Sequence, residues 1–244
     1  MAKIFGIIPA RYGSTRFPGK PLLKIGSKTM IEWTYSHAMK AKSLEKLFVA
    51  TDDSRIFNVV KEFGGEVILT SVEHKTGTDR LIEVVQKLNE GDIFVNIQGD
   101  EPGIEAELIE GVIANKLTNR NFEMSTAAVL MHQSEWNNPD RVKVVFDKNT
   151  RALFFSRSLI PSQNKKATNV YKHLGIYAYE RDFLLNFNKL PQSDLEESES
   201  LEQLRALDSG ASIGVYIAQR SSLSIDSPED VEILVNDFKA RGII

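Results

Sequence analysis

The chain has 244 residues, with 30 Lys and Arg against 33 Asp and Glu, a net charge of -3, 42% hydrophobic residues and no cysteine. That near-balance excludes the polyelectrolyte signature of a nucleic-acid or membrane-surface partner, and the absence of thiols excludes disulfides and thiolate metal sites. The length suits a single α/β domain, and no apolar run reaches the roughly 18 residues of a membrane span, so a cytoplasmic protein is expected.

The first apolar run, Ile4 to Ile8, stops at Pro9; it reads as a buried strand and is too short for a signal-peptide core. The loop after it carries Arg11, Arg16 and Lys20 among Gly13, Ser14 and Gly19, and no acidic residue precedes Glu32. Fixed cations beside glycine-freed main-chain N–H groups point to a polyphosphate ligand. Neither standard glycine fingerprint is present. Gly13 and Gly19 are one residue too far apart for G-x-x-x-x-G-K-[ST], Pro21 follows Lys20, and G-x-G-x-x-G does not occur. The competing reading is an ordinary basic surface loop.

Met30, Ile31, Trp33, Thr34 and Ala38 recur at helical spacing and predict a helix over about 29–41. Lys46 to Thr51 reads as a strand, and Asp52, Asp53 and Ser54 can cap a helix whose stripe of Ile56, Val59, Val60 and Phe63 ends at Gly64-Gly65. A third strand, Glu66 to Leu69, leads through a polar loop, 70–78, to a helix starting at Thr78 or Asp79. The fourth, Ile93 to Ile97, is nearly all apolar, as a strand covered on both faces should be. Three strand-helix pairs in succession predict parallel crossovers and a mostly parallel, doubly wound α/β sheet. Ligands of such sheets lie beyond the carboxyl ends of the strands, so Asp100, in Gln98-Gly99-Asp100-Glu101-Pro102, is expected to face the same crevice as the basic loop. A helix over about 105–117 follows.

From Met124 the spacing changes. Met124 to Leu130, Val142 to Phe146 and Ala152 to Phe155 are short strands, with a hairpin turn at 147–150. Residues about 124–190 therefore read as an antiparallel extension of one domain, with a polar loop at 162–170. In the strand from His173 to Tyr179, His173, Gly175 and Tyr177 share a face, and small Gly175 is expected to leave space for a ligand. Leu195 to Ala206 reads as a helix with Glu197 on a solvated face. Ile213 to Ala218 is a late strand, and Ser227 and Pro228 fit the N-cap and first position of the last helix. Asp226, just before it, is either a capping residue or a metal ligand. A nucleoside triphosphate with Mg²⁺ would use the cationic loop and both acids together.

The ordered motifs Ile7-Ile-Pro-Ala-Arg-Tyr-Gly-Ser-Thr-Arg-Phe-Pro-Gly-Lys-Pro-Leu22, Val49-Ala-Thr-Asp52, Gly77-Thr-Asp-Arg80, Asn96-Ile-Gln-Gly-Asp-Glu-Pro102, Phe155-Ser-Arg157, His173-Leu-Gly-Ile-Tyr177, Leu201-Glu-Gln-Leu-Arg205 and Asp226-Ser-Pro-Glu-Asp230 resemble the CMP-Kdo synthetases, the 3-deoxy-manno-octulosonate cytidylyltransferases. The resemblance covers nearly the whole chain. It implies a nucleotidyltransferase-type fold and the reaction CTP + Kdo → CMP-Kdo + pyrophosphate, with Mg²⁺, in activating the sugar for lipopolysaccharide. It implies that Ala10, Arg11, Ser14, Arg16, Lys20 and Arg80 contact CTP, and that Asp100 and Asp226 hold the metal, with Lys20, Asp100 and Asp226 catalytic. Gln98, Arg157, His173, Tyr177, Glu202 and Gln203 would contact the sugar acid. A homodimer formed through the antiparallel extension is also implied. Ser162 and Asn164 depart from the family pattern of an aromatic residue and an arginine. Lys165 or Lys166 could replace the lost contact, or the substrate could be an 8-amino octulosonate. A CMP-sialate-type synthetase and a non-catalytic nucleotide-binding protein are the remaining alternatives.

Overall fold

The strand β1 (Ile4–Ala10) is buried almost throughout, as an apolar run needs to be, and the parallel strands of its unit assemble around it. The computed structural model describes residues 2–13, 17–119, 121–165 and 168–244. These fall into two units, one of residues 1–110 with 222–244 and one of residues 111–221.

In the first unit, a 3₁₀ turn at Lys20–Leu22 and a small hairpin of β2 (Lys24–Ile25) and β3 (Lys28–Thr29) lead into α1 (Met30–Ala38). Then come β4 (Lys46–Thr51), α2 (Ser54–Glu62), β5 (Glu66–Leu69), α3 (Gly77–Lys87), β6 (Ile93–Asn96) and the start of α4 (Ala106–Thr118). Local chemistry sets the helix starts. Thr29 accepts from Glu32 N–H, Asp53 from Arg55 N–H, and Thr76 forms a capping box with Asp79. That box starts α3 earlier than the stripe of apolar residues indicates.

Four strands of this unit, in the order β6-β1-β4-β5, pair in parallel. Successive strands β1, β4 and β5 run outward on one side, and β6 lies on the other side of β1. The order therefore reverses between β1 and β6, and a ligand crevice is expected beyond the carboxyl ends of those two strands.

The second unit contains β7 (Met124–Leu130), β8 (Lys143–Phe146), β9 (Ala152–Ser156), β10 (Tyr171–Glu180), α5 (Arg181–Phe187), α6 (Asp194–Glu199), α7 (Gln203–Asp208) and β11 (Ile213–Ala218). β10 is antiparallel to β7 and β8, β8 to β9, while β11 runs parallel to β7. The predicted helix over 195–206 is two helices. Ser200 sits between them at φ 52°, in the left-handed region, and Glu196 turns inward to bind Arg205 through both carboxylate oxygens at 2.7 and 2.6 Å. Glu197 is exposed, as expected.

The chain returns to the first unit with α8 (Pro228–Ala240). Leu234 and Phe238 of α8 pack with Ile25, Met30, Trp33 and Ile225 in one buried cluster. The Trp33 and Phe238 rings meet edge to face at 5.1 Å, and the Trp33 indole donates to the Ile25 carbonyl at 2.8 Å. This apolar contact brings residue 226 beside residue 20.

Candidate active site

The loop after β1 closes on itself. Gly19, at φ 72°, donates its N–H to the Tyr12 carbonyl at 2.8 Å and starts the turn at Lys20; its left-handed conformation favours glycine. The Lys20 ammonium donates to Asp100 Oδ2 at 2.8 Å and to the Ile225 carbonyl at 2.7 Å, with Asp226 Oδ1 at 3.9 Å. Ile225 N–H in turn donates to the Asp100 carbonyl at 2.9 Å. Three residues far apart in sequence thus meet at the point where the strand order reverses.

The turn bearing Asp100 is tightly held. A Cβ on Gly99 would lie 2.7 Å from the Pro9 carbonyl oxygen, so the two strand-end loops approach as closely as they do only because residue 99 has no side chain. From α1, the Thr34 hydroxyl lies 3.3 Å from the Gly99 carbonyl, and His37 Nδ1 is 2.7 Å from the Pro102 carbonyl. Burial above all lowers the His37 pKa, so the ring is neutral and Nδ1 carries the donated proton.

Asp226 is not the helix cap. Ser227 holds that position, and Asp230 accepts from the N–H groups of Asp226 and Ser227 at 2.9 and 2.8 Å. The Asp226 carboxylate lies beside Lys20. Among the described residues no group of three or more His, Cys, Asp or Glu forms a metal cage. Two carboxylates converging on one ammonium nevertheless suit Mg²⁺, which takes one or two carboxylates and completes its shell with phosphate oxygens and water.

Ala10 is buried at the end of β1 and Arg11 is half-buried just after it. Burial, and then the nearby Arg80 guanidinium, lowers the Arg11 pKa. Arg80 itself has a fully buried side chain and binds Asp52 at 2.7 Å as well as the Thr70 hydroxyl; its Nε has no partner among the described residues. Asp52 thus serves Arg80, and the neighbouring Asp53 is the cap. The Gln98 carbonyl accepts from Glu101 N–H at 3.3 Å in the turn around Asp100. Ser14 and Arg16 lie outside the described residues, as does Lys166.

The second unit holds the other predicted residues. His173 and Tyr177 share a face of β10, and their rings lie 5.5 Å apart between centroids. Burial pushes the His173 pKa down to about 3. Burial, and then the charge of Glu202, raises that of Tyr177. Gln203 is buried at the start of α7, with its Nε2 lacking a partner among the described residues. Arg157 binds the carbonyls of Glu199 at 2.7 Å, Pro139 at 3.2 Å and Ser200 at 3.5 Å, so its guanidinium straps the turn that launches Glu202 and Gln203. Sequence reasoning missed Asp52 as a partner, the main-chain groups of Ile225, and Thr126 of β7, which touches His173. Only Asp52 carried a sequence signal, its place at the end of Val49-Ala-Thr-Asp52.

Parallel strands bring a lysine and two aspartates together at the reversal point, and the family model for cytidylyltransferases, which are nucleotidyltransferases, matches residues 5–213. A 3-deoxy-manno-octulosonate cytidylyltransferase of Leptospira interrogans is 58% identical over 242 residues, which make up 99% of this chain and 98% of that protein. An 8-amino-3,8-dideoxy-manno-octulosonate cytidylyltransferase of Shewanella halifaxensis is 46% identical, over 93% of this chain and 95% of its own. A solved CMP:2-keto-3-deoxy-manno-octonic acid synthetase in complex with CTP superposes with a TM-score of 0.95 at 39% identity, covering 98% of this chain and 100% of that one. The chain belongs to the 3-deoxy-manno-octulosonate cytidylyltransferase family.

Proposed function

We propose that the chain transfers the cytidylyl group of CTP to 3-deoxy-manno-octulosonate, forming CMP-Kdo and pyrophosphate with Mg²⁺. The observation that carries this reading is the convergence of Lys20, Asp100 and Asp226 beyond β1 and β6. Arg11 and Lys20, with Ser14 and Arg16, hold the triphosphate. Arg80 lies by the nucleotide, its Asp52 pairing fixing the cation near Arg11. The anomeric hydroxyl oxygen of the sugar attacks the α-phosphorus in line. A new P–O bond forms as the bond to the bridging oxygen of pyrophosphate breaks, and the hydroxyl proton passes to water. Lys20 and Arg11 meet the charge that builds on the leaving group, as preorganised cations should. Asp100 and Asp226 would hold Mg²⁺, whose Lewis acidity would polarise the phosphoryl oxygens and make the hydroxyl more acidic.

Gln98, His173, Tyr177, Glu202 and Gln203 receive the sugar acid. The buried Nε2 of Gln203 supports this, because an unpartnered donor is costly unless a ligand oxygen satisfies it. Arg157, with its guanidinium on three carbonyls, serves by ordering the Glu202–Gln203 segment. We further assign the product to lipopolysaccharide assembly in the cytoplasm. No helix among the described residues is long and apolar enough to cross a membrane. Homodimerisation is supported by Leu130, Leu153 and Ile217, exposed apolar residues on β7, β9 and β11.

The 8-amino sugar is the second reading, favoured by Ser162 and Asn164 where the family pattern has an aromatic residue and an arginine. Pyrophosphate release from CTP, measured with each sugar acid in turn, separates these readings. Kdo is expected to give the fastest release. Release with the 8-amino sugar alone, or with a sialate alone, would reassign the acceptor. Release with none, while CTP still binds, would leave a nucleotide-binding protein without this activity.

A further inference from the structure

β10 slips in register against β7 between Leu174 and Tyr177. At that slip, the fully buried Thr126 hydroxyl oxygen lies 2.8 Å from the Ile176 carbonyl, 3.1 Å from the Leu174 carbonyl and 2.9 Å from His173 Nε2. A hydroxyl has one proton to give. Two oxygens 2.8 Å apart, one of them a carbonyl, need that proton between them. Thr126 therefore donates to the slipped strand and offers only lone pairs to His173, so Nε2 must carry the hydrogen. The ring is flanked by Phe155 at 5.0 Å and Tyr177 at 5.5 Å, neither of which brings a charge. No described residue hydrogen-bonds Nδ1. In a neutral ring with hydrogen on Nε2, Nδ1 is a bare acceptor.

We propose that Thr126 is a positioning residue: its hydroxyl fixes His173 as the neutral Nε2–H tautomer, so that Nδ1 accepts a hydroxyl group of the sugar acid rather than pairing with its carboxylate. This rests on the sugar-binding reading of His173. The burial that lowers the His173 pKa keeps the ring in this form at neutral pH.

The test is ¹⁵N NMR of the ligand-free full chain, with the same measurement on Thr126→Val and Thr126→Ser, alongside steady-state kinetics. The parent should show a pyrrole-type Nε2 and a pyridine-type Nδ1 signal for His173. Thr126→Ser should keep both, and Thr126→Val should lose the single tautomer. The KM for sugar acid should rise about tenfold in Thr126→Val, the size of one lost hydrogen bond, with KM for CTP unchanged. Hydrogen on Nδ1 in the parent, an unchanged tautomer in Thr126→Val, or equal damage from Ser and Val would overturn the proposal. If Thr126→Val does not fold, the parent and Thr126→Ser spectra still decide the tautomer. Should the parent turn over no sugar acid, the functional reading fails on its own, and the spectra still test the hold of Thr126 on His173.

Discussion

Lys20 is one cation set against two carboxylates, and the helix that follows Asp226 is capped by Ser227 and Asp230 instead. Asp226→Asn should therefore leave folding almost intact while lowering the charge of the proposed metal site. If about 4 kcal/mol of transition-state stabilisation goes, turnover falls roughly a thousandfold, and the Mg²⁺ concentration for half-maximal rate rises. Turnover across a Mg²⁺ titration, with thermal unfolding alongside, checks this; near-parent turnover with a lowered unfolding temperature would make Asp226 structural. Tyr177→Phe should raise the KM for sugar acid more than that for CTP, and equal effects on both would speak for packing. At this scale much was legible. The Lys20–Asp100 meeting follows from strand-end position, and the shared face of His173 and Tyr177 from a period of two. The contact between those two rings was not legible, because side-chain direction depends on the register slip in β10, which no local pattern encodes. Arg80 was equally opaque, since its full burial rests on Asp52 and Thr70, which belong to other elements.

Gly99 joins two elements by lacking a side chain. Gly99→Ala would push the loop after β6 off the Pro9 carbonyl, an overpacking cost of about 1–3 kcal/mol. Because the displaced turn carries Asp100, turnover should fall further than stability does. Denaturant unfolding and pyrophosphate release on the same preparation measure the two, and a variant with full turnover would show that the close approach is incidental. The strand–helix alternation of the first unit could be read from apolar runs and caps, within a residue or two at most ends. The break at Ser200 could not. Leu195, Leu201 and Leu204 mimic a helical stripe, and what bends the chain is Arg157 holding the Glu199 and Ser200 carbonyls from 42 and 43 positions away.

The whole molecule should lose stability in mild acid. Unfolded, His173 titrates near its ordinary 6.5; folded, it does so at about 3. Between those values the unfolded chain binds a proton that the folded chain does not. The contribution is complete above the unfolded value and is lost as pH falls, at up to about 1.4 kcal/mol per pH unit. His37, lowered mainly by burial, acts in the same direction. From about pH 6.5 to 5 ordinary carboxylates stay ionised, so the slope there belongs to the histidines. Urea unfolding at a series of pH values should show it, and His173→Gln should flatten it; a parent curve already flat in this range would contradict the neutral ring. Chain order adds one more consequence. The second unit is a single continuous stretch, but the first is completed only by residues 222–244. During synthesis, residues 111–221 can leave the ribosome as a whole unit while the basic loop and Asp100, made long before, still wait for Ile225, Asp226 and the apolar face of α8. A nascent chain stalled near Ser221 would carry the loop and one aspartate without the other, so this cluster can form only once translation has passed Asp226.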